Sequence, residues 1–185
     1  MPDPKPTEMR VDARHNRTRI LDIAHDLLAV SSDASLNSIA KAAGVGPGTL
    51  YRHFPTREAL VLAVYRYDID RHIASVPGLL GERPPLEALT RWFEDLSALI
   101  RIKHGLGDAL DATTKDTITQ ETTGPVLGAI TLMLKAGEAD GTIRAGLDPA
   151  DVLLLMSCLW RTPDTAEGRE QSRRLLGTIS RSLRG

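Results

Sequence analysis

The chain has 185 residues, of which 42% are hydrophobic, 25% charged and only 4% aromatic, and its formal net charge is −1. That supports one large or two small cores and excludes both a disordered polyelectrolyte and a surface coated with positive charge for nucleic acid. No apolar run approaches the ~20 residues of a membrane span and the polar, proline-rich stretch from Met1 to Val11 has no signal-peptide core, so a cytoplasmic protein without membrane partners is expected.

The apolar content is mostly Leu, Ala and Ile, which predicts an all-α fold. Residues 1–12, with Pro2, Pro4 and Pro6, read as a disordered lead-in. A first helix follows Arg14, Arg17 and Arg19, with Ile20, Ile23, Ala24, Leu27 and Leu28 at helical spacing, and ends near Val30. Ser35 is placed to cap a second helix through Ala43, with Leu36, Ile39 and Ala40 inward and Asn37, Ser38 and Lys41 outward. Gly44 stands where a left-handed C-terminal glycine ends that helix. Pro47 fits the first position of a third helix, on which Leu50 and Phe54, four apart, share an inward face. Thr49, Arg52 and His53, flanked by Tyr51, remain for an outward face. A helix, a glycine-containing turn and a short helix with a polar outer face form the helix-turn-helix pattern of DNA readers. The charge distribution has the matching sign: residues 1–57 hold eight Lys or Arg against six Asp or Glu, which leaves −3 for the remainder.

After Pro55, Thr56 caps a fourth helix carrying Leu60, Leu62, Ala63, Val64 and Tyr65 to near Ser75. Beyond Pro77-Gly78, Pro84-Pro85 starts a helix from Leu86 to about Lys103 with Trp92, Phe93, Leu96 and Ile100 as its stripe. His104 to Ala112 reads as a short segment before a Thr-rich turn, and Pro125 to Ala139 as another apolar helix. Asp148-Pro149 opens a helix through Trp160 with almost no polar face, and a last helix covers about Ala166 to Leu183. The lone Cys158 lies in that apolar run as a small core residue. About nine helices result, divided into a helix-turn-helix domain over 13–57 with a connecting helix to about 75, and a C-terminal domain over 76–185.

Residues 14 to about 64 resemble the DNA-binding domain of the TetR family of transcriptional regulators. The resemblance rests on Ile39-Ala40, Ala43-Gly44-Val45, Gly48-Thr49-Leu50-Tyr51, His53-Phe54 and Arg57-Glu58-Ala59-Leu60, and covers somewhat over a quarter of the chain. One departure is Gly46, where the family often caps its recognition helix with Ser or Thr. By motif position the resemblance implies that Thr49, Tyr51, His53 and Arg57 contact phosphate or groove. Base choice then falls to Asn37, Pro47, Gly48 and Arg52, with Arg52 equally suited to phosphate. Arg14 and Arg17 either reach the neighbouring minor groove or backbone or simply solubilise the helix end.

The resemblance further implies a homodimer joined through its last two helices, for which Leu155, Leu159, Leu175, Leu176, Ile179 and Leu183 are the candidates, and an operator with half-sites one turn (~34–36 Å) apart. It also implies a small-molecule effector pocket in a C-terminal ligand-binding and dimerisation domain. Trp92, Phe93 and Leu96 facing Leu132, Met133 and Met156 would line it, or equally fill a core. The expected function is a repressor released from a palindromic operator by its effector. The alternative is a DNA-binding regulator whose C-terminal domain binds a protein instead. No catalytic motif, cofactor fingerprint or metal-ligand set is present. The pairs Asp68/His72 and His104/Asp108, at i,i+4, could hold a metal or polar ligand, but such pairs are more often surface ion pairs.

Overall fold

In the computed structural model the backbone is described for residues 6–31, 34–105 and 112–185, and side chains for 15–31, 34–100 and 116–185. Nine α-helices and one 3-10 segment are found among these residues, in two units, residues 1–67 and 68–185. None of the helices is long and apolar enough to cross a membrane.

The first unit contains α1 (Pro6–Val30), α2 (Leu36–Ala42), α3 (Pro47–His53) and the first part of α4 (Arg57–Ala74). Helix α1 begins at Pro6, so residues 6–12 of the expected lead-in are helical, while residues 1–5 lie outside the described residues. A proline is tolerated in the first helical turn because its missing N–H has no partner there anyway. The apolar face of α1, Ile20, Leu21, Ala24 and Leu28, is buried with Ile39 and Ala40 of α2, Leu50 of α3, Phe54, and Leu60, Val61 and Val64 of α4. Each fully buried Leu, Ile or Phe contributes about 1.5–3 kcal/mol of transfer free energy. The Tyr67 hydroxyl donates to the Asp22 carboxylate at 2.9 Å, fastening α4 to α1. Burial pushes the neighbouring Tyr65 phenol up to about 12.

The second unit holds α5 (Val76–Glu82), α6 (Pro85–Gly105), α7 (Ala112–Asp140), α8 (Pro149–Met156), the 3-10 segment Ser157–Arg161 and α9 (Ala166–Leu183). Helix α6 is central, packing against α5, α7, α9 and the 3-10 segment, with Leu89, Trp92, Phe93 and Leu96 buried. Three features depart from sequence expectation. The stretch after Ser75, to which the sequence reading assigned no helix, is α5, which accommodates Pro77 in its first turn. The Thr-rich run is not a turn but part of α7, which continues through Pro125. Its buried residues Ile118, Val126, Ala129, Ile130 and Met133 keep one stripe on both sides of the proline, and that burial outweighs the ~3 kcal/mol an internal proline costs. The Thr122 and Thr123 hydroxyls donate to the carbonyls of Ile118 and Thr119, one turn back. Finally, the helix expected through Trp160 ends at Met156 and tightens into the 3-10 segment.

Close backbone approach shapes the start of α9. A Cβ on Gly168 would lie 1.9 Å from the Pro163 carbonyl oxygen, so only glycine allows α9 to fold back on the loop before it. The Thr162 hydroxyl donates to Leu159 O at 2.7 Å and shares a 2.6 Å bond with Ser172 of α9.

The last turn of α4 is held to α6 by a reciprocal lock. Trp92 Nε1–H donates to His72 O at 3.0 Å, His72 Nε2 lies 3.0 Å from Trp92 O, and the rings stack at 4.6 Å and 17°. Because a carbonyl only accepts, Nε2 carries the proton. Burial lowers the His72 pKa from its ordinary 6.5, outweighing the opposing hydrogen bond to Trp92 O and the Asp95 carboxylate. The unfolded chain therefore takes up a proton at a pH where the folded chain resists it, and stability falls as pH drops through 6.5. Melting curves between about pH 7.5 and about pH 5.5 should show a loss in thermal midpoint that is smaller in His72→Phe, which keeps a stacked ring without the titration.

Candidate nucleic-acid interface

Both ends of α2 and the start of α3 are set by local chemistry. Ser35 caps α2: its Oγ accepts from Ser38 N–H at 3.1 Å while Ser38 Oγ donates to Ser35 O at 2.7 Å. At the other end Gly44 has φ +63°. Val45 N–H donates to Ala40 O at 3.0 Å and Gly44 N–H to Lys41 O at 3.2 Å, the paired bonds of a Schellman turn, which reverses the chain within one residue. Gly46 then stands at the N-cap of α3 without a side-chain bond, and Pro47 occupies the first turn. The Gly46 carbonyl accepts from Thr49 and Leu50 N–H at 2.9 and 3.2 Å.

On this seven-residue helix, at ~100° per residue, Gly48 and Arg52 point roughly opposite Leu50. Leu50 is fully buried and Phe54, at the C-cap, is 2% exposed. Pro47, Gly48, Tyr51 and Arg52 are exposed, as is Asn37 on α2, whereas Thr49, His53 and Arg57 are half-buried. Sequence spacing grouped Thr49 and His53 with Arg52; in the structure they flank the buried edge of α3, and the His53 ring lies 6.1 Å from that of Phe54. The Arg17 guanidinium sits 5.5 Å from the centre of the Phe54 ring, a cation–π contact beside the C-terminus of α3. That contact was invisible in the sequence because the two residues lie 37 positions apart. The Arg14 side chain lies outside the described residues.

Thr56 starts α4, its hydroxyl accepting from Ala59 N–H at 3.1 Å. Hydrogen bonds to the Glu58 backbone N–H and to the Thr56 hydroxyl hold the Glu58 carboxyl below the ordinary carboxylate range. A serine or threonine cap with a glutamate in the first turn makes the α3–α4 corner self-sufficient.

The comparisons with known proteins agree with this geometry. Residues 20–64 match the family described as "Bacterial regulatory proteins, tetR family", and residues 84–185 match "Transcriptional regulator SbtR-like, C-terminal domain". The chain belongs to the TetR family. It is a helix-turn-helix, DNA-binding transcriptional regulator, and the family is not a class of enzymes. A TetR transcriptional regulator from Streptomyces coelicolor is 37% identical over 91% of this chain and 98% of its own, with a TM-score of 0.77. A TetR transcription regulatory protein from Mycobacterium vanbaalenii is 31% identical over 96% of this chain and 99% of its own, with a TM-score of 0.72. An HTH-type transcriptional regulator of Staphylococcus aureus (strain USA300) is 47% identical over 64 residues, 34% of this chain and 35% of that protein. The chain thus matches about a third of the length of such curated relatives.

In the C-terminal unit of this TetR regulator, Trp92, Phe93, Leu96, Met133 and Met156 are buried at 2% exposure or less, but Leu132 is 48% exposed. Leu132 therefore does not share their buried space. Of the six leucines and isoleucines expected at a dimer interface, Leu159, Leu176 and Leu183 are buried within their own chain. Leu175 and Ile179 are half-buried, and Leu155 is 53% exposed. Helical spacing placed all six on suitable stripes but could not say which stripe faces the chain's own core. No group of three or more potential metal ligands exists among the described residues, and His72 is engaged with Trp92. His104 and Asp108 lie outside the described side chains.

Two substitutions separate the roles of the two glycines. Gly44→Ala, with open space around it but φ +63°, should cost about 1–2 kcal/mol through the left-handed backbone alone. Gly46→Ser, at an ordinary extended φ of −66°, should instead stabilise by a few tenths of a kcal/mol by supplying the missing cap. Chemical denaturation of both variants measures the contrast.

Proposed function

We propose that the protein is a homodimeric repressor that binds a roughly palindromic operator through α3 and leaves it when a small molecule occupies the C-terminal unit. The observation that carries the DNA part of the reading is that Pro47, Gly48, Tyr51 and Arg52, with Asn37 beside them, face solvent together while Leu50 and Phe54 anchor the helix from behind. In this docking Tyr51 and Thr49 donate hydroxyl bonds to phosphate, and Arg57 adds charge to the backbone grip with His53 at the rim. Asn37 and Arg52 read base edges, an amide suiting adenine and a guanidinium guanine, while Pro47 packs on a thymine methyl and Gly48 lets the backbone come close. Arg17, held over Phe54, supports the end of α3 and adds positive charge at the flank.

Dimerisation would cover Leu154 and Leu155 of α8, 71% and 53% exposed, together with the half-buried Leu175 and Ile179 of α9. An isologous contact of this kind presents two copies of α3 to two half-sites. The effector would enter the apolar surroundings of Trp92, Phe93, Leu96, Met133 and Met156. Helix α4, whose C-terminal turn is bonded to Trp92, would carry the response towards the reading head.

Selection of bound fragments from genomic DNA, followed by screening of small molecules for release, tests the reading as a whole. With the selected operator, Tyr51→Ala should weaken binding about tenfold on every sequence alike. Asn37→Ala or Arg52→Ala should erase about 1–3 kcal/mol of preference at one base position. Unchanged operator affinity in Tyr51→Ala would overturn the docking of α3. Leu154→Glu/Leu155→Glu should turn the dimer into a monomer by sedimentation, and a dimer that persists would place the interface elsewhere.

A further inference from the structure

The faces of α6 and α9 that meet at the first turns of one and the last turns of the other leave an open groove of about 620 Å³. The geometry points to this groove as a second ligand site, for a small organic oxyanion. It is separate from the buried aromatic cluster of α6 and does not depend on it.

The charge balance makes the argument. Four arginines line the groove, Arg83, Arg91, Arg181 and Arg184, with Glu87 and Glu94. Arg91 is already neutralised, lying 3.5 Å from Glu94 and 2.9 Å from Asp95. The other three make no ion pair among the described residues, and Arg181 donates to the neutral Thr178 hydroxyl at 3.2 Å. Across the lining four guanidinium groups meet the two carboxylates Glu87 and Glu94, an excess of two positive charges that Asp95, paired with Arg91 beside the groove, reduces to one, in a chain whose total is −1. Arginine forks match the paired oxygens of phosphate and carboxylate, and a concave site concentrates their field.

The backbone beneath these arginines is fixed. Arg184 is held by an antiparallel bridge to Ile143, with Arg144 N–H donating to Leu183 O at 3.0 Å. Arg83 ends α5, its N–H donating to Leu79 O at 3.0 Å. Across the floor the hydroxyls of Thr90 on α6 and Ser180 on α9 are 3.0 Å apart. Gly177 keeps the groove open: a Cβ there would meet only Arg181, at 3.7 Å. A glycine in the middle of a helix weakens it relative to alanine, and here nothing in the packing calls for one.

Two sources share this chemistry, a phosphate ester and a dicarboxylate. Calorimetric titration of the full chain with inorganic phosphate and with succinate, at fixed ionic strength, distinguishes them: saturable binding of one and not the other names the source. Arg83→Gln/Arg184→Gln should weaken that binding about tenfold or more. Gly177→Leu should weaken it as strongly while raising the helix's own propensity, so loss of binding there cannot be ascribed to unfolding. Arg144→Gln/Arg161→Gln, which removes the same two charges outside the groove lining, should bind as wild type. The proposal is overturned if neither anion saturates below roughly 10 mM, where specific binding would be worth less than about 3 kcal/mol. It is equally overturned if Gly177→Leu binds as wild type or if Arg144→Gln/Arg161→Gln weakens binding as much as Arg83→Gln/Arg184→Gln.

Discussion

Everything that the helix-turn-helix presents depends on one backbone conformation, the left-handed turn at Gly44. Without it α2 would run on, and Pro47 would fall inside a helix rather than begin one. With it, the chain reverses while forming two well-made hydrogen bonds rather than through an exposed loop. The burial of Leu50 and Phe54 then decides the rotation of α3 about its own axis, and with it which residues meet solvent. A seven-residue helix is too short to be stable on its own. Its orientation is therefore a property of the two buried anchors and the caps at either end.

The C-terminal unit is organised differently, around a single fully buried helix face rather than a turn. Trp92 is its hub, stacked on His72, edge-on to Phe93 with ring centres 5.3 Å apart, and bonded through its indole N–H. An indole with its donor satisfied can be buried completely without the penalty of an orphaned polar group. Partial burial of the ring against Trp92 disfavours the charged form of His72, a histidine that reads from the sequence as half of an exposed ion pair and that the structure leaves half-buried.

Much of this was legible in the sequence because it is local. The caps at Ser35, Thr56 and Asp148, the glycine at φ +63°, the proline starts at Pro47 and Pro149 and the inward pair Leu50/Phe54 all follow from neighbours within a few positions. The departures differ in cause. Pro77 starts α5 from its first turn, where proline is tolerated, whereas Pro125, which reads as a helix start, lies inside α7 because burial of Ile118, Val126 and Ile130 outweighs its local preference. The equally apolar run after Pro149 broke into a 3-10 segment where it needed to turn towards α9.

The sequence by itself determined the fold class, the family and the identity of the reading helix, since these rest on short-range spacing of glycine, proline, caps and apolar residues. Only the tertiary structure decided which apolar side chains are spent inside the chain and which remain for a partner. Leu159, Leu176 and Leu183 went inward and Leu154 and Leu155 outward although all five stand at helical spacing. It also decided where Arg17 sits and which arginines keep an uncompensated charge. The physical reason is the same in each case: a helix has one period but several faces, and which face is buried depends on residues far away in the chain.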